Sequence, residues 1–92
     1  MPRKHIIVAG RVQGVGFRYH AQHLANANCL TGWVRNLNSG EVALEVQGPQ
    51  SSLVNFITQL NKGTLFIRID DMQIEDCPEI HESYFEIRHE NI

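Results

Sequence analysis

The pattern of apolar and polar residues predicts the first three β-strands of this chain. The run His5–Gly10 is short, apolar and rich in β-branched residues, and the runs Trp33–Asn36 and Glu41–Gln47 flank a turn at 38–40. The third strand alternates cleanly, so its core-facing residues are expected to be Val42, Leu44 and Val46.

The alternation changes phase later in the chain. Apolar residues occupy odd positions over 65–69 and even positions over 72–74, which predicts a long fourth strand with a β-bulge near Asp70-Asp71. A last strand is expected over 85–87, and the sequence leaves open whether it extends to His89.

Two segments instead show the period of an amphipathic helix. The first begins at Phe17 and runs to about Cys29. The second is expected to be capped by Ser51 or Ser52 and to end at Lys62-Gly63, with its apolar stripe at Leu53, Phe56, Ile57 and Leu60.

The order of these elements predicts the fold class. A β-α-β-β-α-β order is typical of the α+β ferredoxin-like sandwich, with an antiparallel-type sheet, two helices on one face and, here, an additional C-terminal strand. In that architecture the first two strands are parallel and the third lies between them, so the first two end at the same sheet edge. The 92 residues are expected to form a single domain, 1–92.

A glycine-spaced loop, Gly10-Arg11-Val12-Gln13-Gly14-Val15-Gly16-Phe17-Arg18, joins the first strand to the first helix. Gly14 and Gly16 let successive backbone N–H groups turn toward one point, and the helix adds its own unpaired N–H groups. Arg18 contributes a planar, permanently charged donor fork, which matches a phosphate dianion. The predicted phosphate-binding residues are Gln13, Gly14, Val15, Gly16, Phe17 and Arg18.

Asn36 is expected at the same sheet edge as this loop, because it ends the second strand. The two strands lie two spacings apart, about 10 Å. A phosphate and one water, reached by the side chains of Arg18 and Asn36, fill such a gap.

The segments Gly10–Arg18 and Gly32-Trp33-Val34-Arg35-Asn36-Leu37-Asn38-Ser39-Gly40-Glu41-Val42, the latter running on to Gly48, resemble the acylphosphatase family. The resemblance covers the chain in length and element order, although the part after Gly63 matches only in pattern. It implies hydrolysis of acyl phosphates to a carboxylate and inorganic phosphate, without metal or cofactor. It also implies catalytic roles for Arg18, which holds the phosphate, and Asn36, which orients the attacking water.

The net charge of the chain bears on which partners are expected. A net charge of -2 gives no general attraction to nucleic acid or an anionic membrane, so any positive potential must be local, around Arg11 and Arg18. Met1 leads straight into a strand and no apolar run is long enough for a membrane span, so a cytoplasmic protein is expected. We expect a monomer, a small acyl phosphate as substrate, and inorganic phosphate as both product and inhibitor.

Other candidate sites are weaker. His20 and His23 stand three residues apart on the first helix without a third ligand nearby, so no metal is expected. The pairs Asp70-Asp71 and Glu75-Asp76 indicate a solvated strand face. Cys29 and Cys77 are expected to be free thiols, although a disulfide between them stays open.

Two rival functions share parts of this pattern. An RNA recognition motif has the same element order, but the outward residues of the third strand offer no aromatic stacking platform: Glu41, Ala43, Glu45 and Gln47. The second rival function is that of a non-catalytic module that binds a phosphoryl or carbamoyl group, as in the acylphosphatase-like domain of hydrogenase-maturation carbamoyltransferases. Those domains belong to much longer chains, and the short length here favours a free-standing enzyme.

Overall fold

Seven elements follow one another along the chain in the computed structural model, which describes residues 1–89. They are β1 (Arg3–Arg11), α1 (Phe17–Ala27), β2 (Thr31–Asn36), β3 (Val42–Gln47), α2 (Gln50–Lys62), β4 (Arg68–Cys77) and β5 (Phe85–Arg88). The strands form one sheet in the order β4-β1-β3-β2-β5.

The strand directions confirm the predicted topology. β3 lies between β1 and β2 and is antiparallel to both, so β1 and β2 run the same way and end at one sheet edge. β4 adds to β1 in antiparallel fashion, and β5 lies parallel to β2 at the other side of the sheet. The ferredoxin-like α+β fold, with its extra C-terminal strand, is confirmed.

The core lies between the sheet and the two helices. Val42, Leu44 and Val46 face it, as predicted, and are fully buried. Each such side chain contributes about 2 kcal/mol through burial. The other buried members of this core include Ile6 and Val8 from β1, Phe17, Ala21 and Ala25 from α1, and Leu53, Phe56 and Leu60 from α2.

The opposite face of the sheet is partly covered by a polar network around Arg3. The Arg3 side chain is completely buried and pairs with Glu45, at 2.7 Å from Nε to Oε1, and with Glu82. The side-chain oxygen of Gln47 accepts hydrogen bonds from Arg3 and from the Ile80 N–H, and its amide nitrogen donates to the Ile80 carbonyl. These bonds fix the segment before β5 over this face of the sheet. Burial alone would lower the pKa of Arg3, but the bonds to Glu82 and Glu45 leave that pKa raised.

Trp33, in the middle of β2, lies on the same face of the sheet, opposite Glu45. Two guanidinium groups lie over its ring, with Cζ of Arg35 at 4.9 Å and Cζ of Arg88 at 4.8 Å from the ring centroid. This stack joins β2 to the end of β5.

The helix boundaries differ from the predictions at two points. α1 ends at Ala27, slightly early, because Cys29 adopts a left-handed φ of 56° and Leu30 donates back to the Ala25 carbonyl. The predicted cap of α2 by Ser51 or Ser52 is wrong: Pro49 is the N-cap and its carbonyl accepts from Leu53 at 3.0 Å. The helix therefore starts before the serines.

The fourth strand is shorter than predicted at its start. Gly63 has a φ of 66° and the Thr64 hydroxyl accepts from the N–H groups of Phe66 and Ile67, which closes a tight turn before β4 begins at Arg68. The predicted bulge is confirmed, because Ala9 pairs with Asp71 and Gly10 with Ile69. Asp70 is the extra residue. β5 ends at Arg88, one residue before His89.

Candidate active site

The loop between β1 and α1 has the backbone shape expected of an anion cradle. Gly14 and Gly16 have φ values of 73° and 78°, a region that other residues adopt only with strain. Gly16 is also the N-cap of α1, and no side chain caps this helix end. No acidic residue occupies the first turn. The helix N-terminus therefore keeps its positive end uncompensated.

Six consecutive N–H groups of this segment have no acceptor in the described part of the chain. Within residues 1–89, none of the N–H groups of the 14–19 segment donates to a backbone or side-chain acceptor, and the first helical bond is from His20 to the Gly16 carbonyl at 3.0 Å. Such a run of unpaired donors at a helix start is suited to an anion.

A small cavity lies in front of these donors. Its volume is about 130 Å³, and it brings together the loop, the start of α1 and the end of β2. The lining residues are Val12, Gly14, Gly16, Phe17, Arg18, Tyr19 and Asn36. The shared sheet edge thus places Arg18 and Asn36 at one cavity, although 18 positions separate them in the chain.

Arg18 is half-buried in the first turn of α1 rather than free in solvent. Its Nη1 donates to the backbone carbonyl of Arg88 at 3.2 Å, which fixes the guanidinium from one side. The remaining N–H groups of the fork stay available for an anion.

Asn36 ends β2 opposite Val42 of β3. Its Oδ1 is shielded from solvent and has no donor within the described part of the chain. A buried acceptor without a donor is costly, and a water hydrogen bound at this point would satisfy it.

Gln13 and Val15 act differently from the other predicted loop residues. The Gln13 amide donates to the carbonyls of Leu37 and Glu41, both at 2.8 Å, so its side chain ties the loop to the β2–β3 turn. Val15 packs against the hydrophobic core. Neither side chain lines the cavity, and these two residues position the loop.

Sequence reasoning missed Val12, Tyr19 and the carbonyl of Arg88. Val12 directly follows β1 and Tyr19 follows Arg18 in the first turn of α1, so the position of both residues next to the glycine loop in the sequence was the available signal. Nothing in the sequence marks the Arg88 carbonyl, because every residue has one.

The weaker candidate sites do not join this cavity. Over residues 1–89 the structure contains no group of three potential metal ligands, and burial together with nearby His23 lowers the pKa of His20. Asp70 forms an ion pair with Arg68 at 2.8 Å on exposed β4. Cys29 and Cys77 are free. No helix among residues 1–89 is long and apolar enough to cross a bilayer.

Comparison with known proteins gives a consistent result. The family model described as acylphosphatase matches residues 4–87. A curated acylphosphatase of Geobacillus kaustophilus is 52% identical over 75 residues, which is 82% of this chain and 80% of that protein.

Solved structures show the same likeness. The crystal structure of acylphosphatase from Bacillus subtilis superposes with a TM-score of 0.91 at 36% identity, covering 96% of this chain and 99% of that one. Full-length HypF in its phosphate- and nucleotide-bound form has a TM-score of 0.90 at 28% identity, covering 98% of this chain but 12% of that chain.

Proposed function

The chain belongs to the acylphosphatase family and hydrolyses acyl phosphates to a carboxylate and inorganic phosphate, and we propose that the cavity between the 14–18 loop and Asn36 is where it does so. The single observation that carries the proposal is the run of six acceptor-free N–H groups beside a guanidinium.

In the proposed complex, the phosphoryl group lies in the glycine loop. The amides of the 14–19 segment donate to its non-bridging oxygens, and the positive end of α1 stabilises their charge. Because the loop is held by Gln13 through two hydrogen bonds, these donors are fixed before the substrate arrives.

Arg18 binds the same phosphoryl oxygens through its free N–H groups. The bond to the Arg88 carbonyl restricts the rotation of the side chain, so less conformational entropy is lost on binding. As negative charge spreads over the phosphoryl oxygens in the transition state, the fork stabilises it.

Asn36 orients the nucleophilic water. A water that donates to the buried Oδ1 keeps a lone pair free, and its oxygen can then lie in line with the bond that breaks. An amide keeps this role across neutral and mildly acidic pH because it does not titrate there.

The leaving group requires little help. A carboxylate is stable as an anion, so no strong general acid is needed, and no side chain of the cavity is an evident general base. A phosphoryl oxygen of the substrate accepts the proton of the water in this proposal.

Benzoyl phosphate hydrolysis in the presence of a chelator tests the chemistry, and calorimetric titration with inorganic phosphate tests the cradle. We expect turnover, and competitive inhibition by phosphate with a matching dissociation constant. Turnover without any phosphate binding would contradict the cradle, and binding without turnover would favour a non-catalytic phosphoryl-binding module.

Three further properties complete the proposal. The protein acts as a cytoplasmic monomer, residues 1–92 form one domain, and no nucleic acid is bound. The proposal that no nucleic acid is bound is supported by three positions of the sheet face that an RNA recognition motif would use. Ala43 is buried, Glu45 is paired with Arg3, and Trp33 is covered by two guanidinium groups, so none of the three offers an exposed aromatic ring.

A further inference from the structure

A second and larger cavity lies beside the phosphate-binding loop. It has a volume of about 390 Å³ and is lined by Arg11 and by the residues of the 61–69 segment other than Gly63; we term it the 61–69 cavity. Arg11 directly precedes Val12, which lines the phosphate cavity. Gly14 is the third residue after Arg11, so the Cα atoms of these two residues are at most about 11 Å apart. A ligand with one end in the loop and a length comparable to this separation would reach the second cavity.

The charged residues that line the 61–69 cavity are all cationic. They are Arg11, Lys62 and Arg68, and no carboxylate lines it. Arg68 is bound by Asp70, whereas Arg11 and Lys62 have no ion pair in the described part of the chain. In a chain with a net charge of -2, this is a local positive potential with two unused charges.

The same cavity carries exposed apolar side chains. Leu65 and Phe66 are 89% and 61% exposed, beside the polar Thr64. The loop that presents them is held by internal bonds, since Thr64 N donates to the Ile67 carbonyl at 3.0 Å and the Thr64 hydroxyl accepts two N–H groups. The backbone that carries these two apolar side chains is thus fixed at the cavity, and a ligand that covers the side chains gains about 25 cal/mol per Å² of buried apolar surface.

We propose that the 61–69 cavity binds the acyl portion of the substrate, and that the preferred substrates are acyl phosphates whose acyl group carries a second anionic group on an apolar frame. This inference rests on the proposed function, because the phosphoryl end must lie in the glycine loop. The apolar frame packs on Leu65 and Phe66, and the distal anion meets Arg11 and Lys62.

A matched pair of substrates tests this selectivity. Benzoyl phosphate and 4-carboxybenzoyl phosphate differ only in a distal carboxylate. We expect kcat/KM to be about fivefold higher for the carboxylated substrate at low ionic strength, and the preference to fall with added salt.

The variant Arg11→Gln/Lys62→Gln should bring the ratio of the two kcat/KM values close to one. Lys4→Gln is the matched control, because Lys4 lies at the start of β1 and pairs with Asp76; it should keep the preference. Equal kcat/KM values in the wild-type protein, or a preference unchanged in the double variant, would overturn the inference.

Binding of non-hydrolysable analogues separates this inference from the proposed chemistry. Calorimetry with benzylphosphonate and 4-carboxybenzylphosphonate should show tighter binding of the carboxylated compound in the wild-type protein alone. If neither acyl phosphate is hydrolysed but this difference is found, the acyl subsite stands and the proposed catalytic roles fail. Equal binding of both analogues would overturn the subsite.

Discussion

Arg18, in the first turn of α1, donates a hydrogen bond from Nη1 to the backbone carbonyl of Arg88 at the end of β5, across 3.2 Å. The two residues are 70 positions apart in the chain. Because the Arg88 side chain is itself stacked on Trp33, the last strand serves as a fixed support for the guanidinium that we propose to hold the phosphate. The orientation of the Arg18 side chain therefore depends on β5, a strand that contributes no residue to the lining of the phosphate cavity.

Replacing Arg18 by Gln should abolish measurable hydrolysis of benzoyl phosphate and weaken inhibition by phosphate. Loss of the charged donor fork removes about 3 kcal/mol or more of transition-state stabilisation. Arg18→Lys should recover little activity, since a point charge does not reproduce the planar fork. Circular dichroism should show an intact fold for both variants. Near-normal kcat/KM in either one would contradict the assignment.

Asn36→Ala should separate binding from chemistry. If Asn36 contacts the water and not the phosphate, kcat falls by roughly a hundredfold while the inhibition constant of phosphate stays nearly unchanged. Steady-state kinetics with phosphate as competitor measures both quantities. A parallel loss of phosphate affinity would make Asn36 a phosphate ligand instead.

The variant Gly16→Ala tests the backbone geometry of the cradle. A methyl group at Gly16 meets no neighbouring atom within 4 Å, so the cost arises from its φ of 78°. We expect a loss of about 1 kcal/mol in the free energy of unfolding, together with weaker phosphate binding because the N–H groups turn away.

Gly40→Ala is the control for that variant. Gly40 also has a positive φ, 95°, and also has open space around its Cα, but it lies in the β2–β3 turn. A similar loss of stability with unchanged phosphate affinity is expected from urea denaturation and calorimetry. Equal effects of both variants on phosphate affinity would show that the loop has no special role.

Glu45 should make stability depend on pH. Burial alone would raise the pKa of Glu45, but hydrogen bonds and charge from Arg3 and His5 outweigh burial and hold that pKa below its ordinary value. A carboxylate with a lowered folded pKa stabilises the fold above its unfolded pKa, about 4.3, and this contribution is lost as the pH falls through the folded pKa.

The variant Glu45→Gln should therefore lower the free energy of unfolding by about 2 kcal/mol at pH 7, and this difference should shrink below pH 4. Urea denaturation at pH 7, 4 and 3 measures it. Glu75→Gln is the control, because Glu75 is exposed on β4. A pH-independent difference for Glu45→Gln would contradict the proposed charge interaction.

The fold was largely predictable because its signals are local. The alternation in β3 placed Val42, Leu44 and Val46 in the core, and the phase change after Ile69 located the bulge at Asp70. The start of β4 was misjudged because Leu65 fits the alternation, yet Gly63 and Thr64 close a turn there. The period of apolar residues gives no signal for a backbone turn that is stabilised by a side-chain hydroxyl group.

Only those features of the site that depend on the identity of its side chains were predictable from the sequence. Glycine spacing and the parallel strands brought Arg18 and Asn36 to one cavity, as expected. The hydrogen bonds that position the loop and Arg18 end on backbone carbonyls: Gln13 donates to those of Leu37 and Glu41, and Arg18 donates to that of Arg88. Carbonyl acceptors leave no mark in a sequence, so these supports appear only in three dimensions.

The bulge at Asp70 also affects how this molecule meets copies of itself. β4 is an outer strand of the sheet, and its free edge would otherwise offer unpaired N–H and carbonyl groups to another chain. The extra residue breaks the regular spacing of that edge, and Asp71 and Glu75 add like charges along the strand. Two such edges brought together repel each other and fail to match in register. We therefore expect the bulge and the acidic residues of β4 to disfavour edge-to-edge association of folded chains.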